Sequence, residues 1–249
     1  MPAIRCRDKI FPEIEAIFFD KDGTLEDSSN FLRELAQKRS RLIDAKIPGI
    51  GDPLLMAFGI DENRLDPEGM TAVGSRRDNQ IAAAAYIAET GRSWHEALEI
   101  ARFAFEEASQ VVRRIPENSP LFEGSLAVLQ ALSGTGLKLG ILSADSTQGV
   151  KNFIDRTNIA PYIQLPQGVD PDGPNKPEPK LFLDACRRLG SQPERTLMVG
   201  DSALDFEMAR NAGAAGVIGI RWGNANASVL KQADVGIAHL NELAIMDGE

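Results

Sequence analysis

The chain has 249 residues, enough for one large domain or two smaller ones, and its 43% hydrophobic and 25% charged content is that of a water-soluble globular protein. A net charge of −9 argues against a nucleic-acid partner and against an anionic membrane surface, since both select basic patches. It does not exclude a phosphate ligand, because a few local cations and a metal can dominate a single pocket.

Only Cys6 and Cys186 are present, without CxxC spacing, so neither a disulfide framework nor a zinc site is expected, and a reducing cytoplasmic setting is the expectation. Met1 to Lys9 has no apolar h-region, so no signal peptide is read there. No apolar run approaches the ~20 residues of a membrane span, so no membrane partner is expected.

The first strong element is Ala16-Ile17-Phe18-Phe19, followed by Asp20-Lys21-Asp22-Gly23-Thr24-Leu25. The apolar run is short and does not alternate, which predicts a central parallel strand buried on both faces. Its carboxyl end carries two acids, and ligands bind at that edge of open α/β sheets. One carboxylate can attack phosphorus while the other gives and takes a proton. The same hard oxygens suit Mg²⁺. The competing reading is a plain turn, since Asp and Gly are common turn residues.

Helical spacing follows over Phe31 to Ile43, broken by Pro48 to Pro53, with a short helix over Pro53 to Phe58. Gly59 to Ser75 reads as irregular, with a turn at Asp66-Pro67-Glu68-Gly69. Two long helices are expected over Asp78 to Thr90 and Ser93 to Arg114, the second opened by a capping box at Ser93 and Glu96. No strand is read in these ninety or so residues, so they form an inserted helical domain.

From Leu121 the pattern alternates. Strands are expected at Lys138–Ser143, Tyr162–Leu165, Thr196–Gly200, Ala215–Ile220 and Asp234–Ile237. Helices are expected at Gly124–Leu132, Thr147–Thr157, Pro179–Leu189 and Ala203–Ala212. This βαβ alternation predicts an α/β fold, a Rossmann-like doubly wound parallel sheet with an inserted α-helical domain. The expected division is 1–27 with 119–249 as the catalytic core and 28–118 as the helical insertion.

Three more polar groups stand where the core could use them. Ser143 ends a strand before a helix and can meet phosphate oxygens, although a helix cap is the commoner use of such a Ser. Lys176 lies between Asn175 and Pro177-Glu178-Pro179 in a stiffened turn and can neutralise phosphate charge. Asp201 follows Val199-Gly200 at a strand end and can join the first acids around a metal. Asp205, one helical turn on, can hold Asp201, a water or Lys176 in place. Trp94, His95, Trp222 and His239 are expected to cap or pack.

In this order the motifs Asp20-Lys21-Asp22-Gly23-Thr24, Ser143, Lys176-Pro177 and Gly200-Asp201-Ser202-Ala203-Leu204-Asp205 resemble those of the haloacid dehalogenase superfamily. The resemblance covers the whole core. It implies a helical cap between the first and second motifs. It also implies Mg²⁺ held by the side chains of Asp20 and Asp201 and the backbone carbonyl of Asp22. In the implied mechanism Asp20 is the nucleophile that forms an aspartyl-phosphate, and Asp22 protonates the leaving alcohol and then activates water. Ser143 and Lys176 hold the phosphoryl oxygens, and Lys176 is expected to keep Asp20 ionised.

The presence of Asp22 separates the chain from the superfamily's dehalogenases and phosphonate-cleaving members. Asp20 to Ser28, together with the cap position, is similar to the phosphoglycolate phosphatase branch. The expected activity is therefore Mg²⁺-dependent hydrolysis of a small phosphate ester, phosphoglycolate or a sugar phosphate. A phosphosugar mutase and a non-catalytic phosphate-binding protein on the same fold are the alternatives. Gly200 stands where the familiar sugar mutases have Glu. Within the insertion, Arg76 and Arg77 form a candidate loop for pairing a substrate carboxylate, against the plainer reading of two solvated arginines. Monomer and homodimer are both compatible with the sequence.

Overall fold

The computed structural model describes residues 1–171, 173–222 and 229–246. Residues 172, 223–228 and 247–249, all within the expected core, lie outside the described residues. The chain divides into two compact units, one of residues 1–26 with 121–249 and one of residues 27–120.

The first unit opens with strands β1 (Ala3–Cys6), β2 (Lys9–Phe11) and β3 (Ala16–Phe19). It resumes after the insertion with α6 (Ser125–Ser133), β6 (Lys138–Leu142), α7 (Thr147–Thr157), β7 (Leu165–Gln167) and α8 (Pro179–Leu189). It ends with β8 (Thr196–Gly200), α9 (Ala203–Asn211), β9 (Gly216–Ile220), β10 (Val235–Ile237) and β11 (Leu243–Met246), with short 3₁₀ turns between some of them. Six strands form a parallel sheet in the order β10-β9-β8-β3-β6-β7. The chain runs outward from β3 through β6 and β7 on one side, then through β8, β9 and β10 on the other. β3 is thus the point where the strand order reverses, and the crevice at its carboxyl end is the natural ligand position.

All four residues of β3 are buried. Ile17 and Phe19 enter one core layer, and Phe18 enters the layer on the opposite face, where it meets the Phe182 ring edge-on at 5.2 Å. This alternation within an unbroken apolar run is what a strand covered by helices on both faces requires.

A second sheet was not expected. β1 pairs antiparallel with β2 on one side and with β11 on the other. The expected short strand at Tyr162–Leu165 lies later, at Leu165–Gln167, since Tyr162 still belongs to the turn after α7.

The second unit contains α1 (Ser29–Asp44), α2 (Gly51–Ala57), α3 (Met70–Val73), α4 (Arg76–Glu89) and α5 (Trp94–Val111). Its own core joins Ile43, Leu54, Phe58, Ala83, Ile87, Ala101 and Phe105. The strand-free reading of this segment is corrected by a small antiparallel pair, β4 (Ile60–Asp61) with β5 (Arg64–Leu65). Two-residue strands carry no periodicity to read. α4 starts two residues earlier than expected because Ser75 and Asp78 form a complete capping box. At α5 only the Ser93 half of the expected box forms among the described residues, and Glu96 faces Arg92 at 3.5 Å instead. No helix among the described residues is long and apolar enough to cross a membrane.

Candidate active site

Three sheet strands deliver acids or hydroxyls to one edge. β3 ends ahead of Asp20, whose N–H donates to the Val199 carbonyl of β8 at 2.9 Å, so the start of the acid loop is tied to its neighbour strand. β8 ends at Gly200, ahead of Asp201. β6, paired in register with β3, ends ahead of Ser143.

Carboxylate oxygens of Asp20, Asp201 and Asp205 lie within 4.8 Å of one another. Two glycines permit this. Gly23 has φ of +79°, and a Cβ there would overlap the Asp201 carboxylate. A Cβ on Gly200 would come within 2.6 Å of the Asp205 carboxyl carbon. The backbone of the first loop therefore presses directly against Asp201, and the end of β8 against Asp205.

Lys176 is buried, and its Nζ lies 2.5 Å from Asp20 Oδ1 and 2.6 Å from Asp205 Oδ1. The Lys176–Pro177 peptide bond is cis. Asp205 is fully buried and serves two neighbours: its Oδ1 faces Lys176, and its Oδ2 accepts from Ser202 Oγ at 2.7 Å. Ser202 in turn accepts from the Asp205 N–H, closing a capping box at the start of α9.

The electrostatics of the cluster correct one expectation. Withdrawal from solvent pushes Asp20 up to about 7; Lys176 opposes this, and Asp205 and Asp22 add to it. Lys176 alone therefore does not hold Asp20 in the ordinary carboxylate range. Burial likewise raises Asp201 well above that range, with Asp20 and Asp205 adding and Lys176 and Arg221 opposing. Burial works against the charge on Lys176, but Asp20 and Asp205 outweigh it and raise its pKa. Three crowded carboxylates facing one ammonium make a site short of positive charge. A divalent cation with hard-oxygen preference fits that deficit.

Ser143 is buried at the end of β6; its N–H donates to the Gln167 carbonyl, and its Oγ accepts from the Asp145 N–H at 3.1 Å. Asp22 stands outside the acidic trio: its Oδ2 lies 2.8 Å from Lys21 Nζ. Arg76 and Arg77 are exposed in the first turn of α4 in the helical unit, where Arg76 donates to Ser109 Oγ. Trp222 stacks on Phe122 at 4.2 Å, donates from Nε1 to the Thr24 carbonyl and meets His239 edge-on, so it braces the loop that carries Asp22.

Two charged residues escaped the sequence reading. Arg221, at the end of β9, is buried and its charge acts on Asp201. Lys21 is wholly enclosed. Arg221 follows the apolar run of β9 directly, the same signal that marked the acids, whereas Lys21 sits one residue beyond Asp20.

A family model for haloacid dehalogenase-like hydrolases matches residues 14–213. A phosphoglycolate phosphatase of Escherichia coli K12 is 29% identical over 237 residues, covering 94% of this chain and 92% of its own. The crystal structure of a predicted phosphoglycolate phosphatase from Haemophilus somnus 129pt superposes with a TM-score of 0.68 at 21% identity, over 90% of this chain and 94% of that one. A β-phosphoglucomutase from Clostridium difficile superposes with a TM-score of 0.64 at 19% identity, over 92% of each chain. With the family model covering most of its length, the chain belongs to the haloacid dehalogenase-like hydrolases.

Proposed function

We propose that this hydrolase is a Mg²⁺-dependent phosphomonoesterase acting on a small phosphorylated metabolite, phosphoglycolate or a sugar phosphate, through an aspartyl-phosphate on Asp20. The observation that carries the reading is the contact of Lys176 with Asp20 inside the trio Asp20, Asp201 and Asp205. A buried carboxylate beside an ammonium and further hard oxygens suits attack on a phosphoryl group.

In this reading Mg²⁺ is held by the side chains of Asp20 and Asp201 with the Asp22 carbonyl, and when bound it neutralises phosphoryl charge. An Asp20 carboxylate oxygen forms a bond to phosphorus as the ester P–O bond breaks. Asp22 delivers its proton to the departing oxygen. It then takes a proton from water, which attacks the same phosphorus, releases inorganic phosphate and restores the Asp20 carboxylate. Lys176 and the Ser143 hydroxyl bind phosphoryl oxygens as charge moves onto them. Asp205 keeps Lys176 aimed through their 2.6 Å contact. Substrate choice is assigned to the helical unit, with Arg76 and Arg77 as candidates for a substrate carboxylate.

The mutase reading is less favoured. A Glu at position 200 has no room beside Asp205, since even a Cβ comes within 2.6 Å of it. The test is phosphate release from a panel of esters, including 2-phosphoglycolate and hexose phosphates, with Mg²⁺ and with EDTA. Metal-dependent release from at least one ester is expected. Isomerised sugar phosphate without free phosphate would favour the mutase, and no turnover of any ester would favour a binding protein.

A further inference from the structure

Lys21 occupies an unusual position. It stands between the two acids of the first motif, and its side chain has no exposure to solvent. Its Nζ meets acids of its own loop and of the loop after β6. It lies 2.8 Å from Asp22 Oδ2, 3.0 Å from Asp145 Oδ2 and 3.9 Å from Glu26 Oε2, and it approaches the Phe153 ring at 5.9 Å. Glu26, also fully buried, is paired to Arg156. The Lys21 carbonyl accepts from the N–H groups of Leu25 and Glu26 at 3.0 Å, so the same residue closes the turn.

Enclosing an ammonium costs several kcal/mol of desolvation, and an apolar side chain of similar volume would avoid that cost. Fold stability alone does not account for the charge. The charge does supply direction. It fixes one oxygen of Asp22 and ties the loop after β3 to the loop after β6, which carries Ser143.

We propose that Lys21 is a positioning residue for the leaving-group step, clamping the Asp22 carboxylate from the core side so that it meets the departing oxygen. The inference rests on Asp22 being the proton donor of the proposed hydrolysis. Lys21 touches neither substrate nor phosphorus and acts only through Asp22.

The test compares esters by leaving group. An alkyl phosphate, 2-phosphoglycolate or the best alkyl ester of the panel, needs a proton on its leaving oxygen. p-Nitrophenyl phosphate does not. kcat/KM reads only the steps through leaving-group departure, which isolates the Asp22 proton transfer. Lys21→Met is expected to lower kcat/KM for the alkyl ester roughly 10–100-fold more than for p-nitrophenyl phosphate, less than the roughly 10²–10⁴-fold of a whole general-acid contribution because Asp22 itself is kept. In an Asp22→Ala background the same substitution is expected to add no further difference between the esters. An equal loss on both esters, or a difference that persists without Asp22, overturns the proposal.

Circular dichroism and thermal melting check that Lys21→Met is folded. If it is not, Asp145→Ala carries the test, since Asp145 keeps a third of its side chain exposed and its truncation removes the second anchor of Nζ. A severalfold loss confined to the alkyl ester is expected there, and an equal loss overturns the proposal. Wild-type enzyme that hydrolyses neither ester refutes the phosphatase reading and this inference with it. A working wild type without the split refutes only the role of Lys21.

Discussion

Asp20 gains a proton more readily in the folded protein than in the unfolded chain, and this has a measurable consequence. Its pKa rises from an ordinary 3.8 to about 7, chiefly through burial. Between those values the native state binds more protons than the unfolded state, so this group's contribution to stability falls as pH rises from about 4 to 7 and stays low above. In EDTA, Asp20→Asn is therefore expected to gain stability relative to wild type across that window, by an amount on the order of a few kcal/mol at pH 8. Thermal melts of both proteins from pH 4 to 8 check this, and a constant difference contradicts it. Mg²⁺ should shrink the gap by favouring the ionised carboxylate.

At the scale of elements, the start of α9 shows how local sequence sets the site. Ser202 caps the helix and Asp205 completes the box, yet Asp205 also faces Lys176. Ser202→Ala should cost about 1 kcal/mol, as loss of such a cap commonly does. It should also loosen Lys176, so the Michaelis constant for the phosphate ester should rise together with the loss in melting temperature. A stability loss with unchanged kinetics would confine Ser202 to capping.

The elements around β3 were legible because each strand is an apolar run stopped by a polar residue at the same sheet edge. The helices α7 and α8 were legible to the residue, bounded by Ser146 and Asn158 and by Pro179 and Gly190. β1, β2 and β11 were not. They are three or four residues long, and β1 finds a partner at Leu243–Met246, which no local pattern announces. At the site, Asp20, Asp201, Asp205 and Lys176 could be read because motif order placed them. The return of Lys21 Nζ to Asp22 could not, since a flexible four-carbon stem allows many endpoints and only the packing of Asp145, Glu26 and Phe153 selects one.

The whole molecule is assembled from two cores. Among the described residues, the apolar clusters of the α/β unit draw only on residues outside 27–120, and that of the helical unit only on residues within it. The chain leaves and re-enters the α/β unit at Glu26 and Leu121, which form an antiparallel bridge. Asp27 N–H donates to the Pro120 carbonyl at the base of the helical unit. A short Gly-Ser linker replacing 27–120 can therefore span the gap. The resulting protein is expected to fold, to keep metal-dependent hydrolysis of p-nitrophenyl phosphate and to lose discrimination among alkyl phosphates. Retained discrimination would move substrate choice into the α/β unit.

The central claim is that phosphorus passes through a covalent bond to Asp20, and borohydride trapping tests it most directly. An acyl phosphate is reduced to an alcohol, so enzyme quenched during turnover and reduced should carry homoserine at position 20, found by peptide mass analysis. The modification is predicted only when both ester and Mg²⁺ are present. Sustained turnover with position 20 remaining aspartate in every peptide would contradict the account and point to direct attack by water.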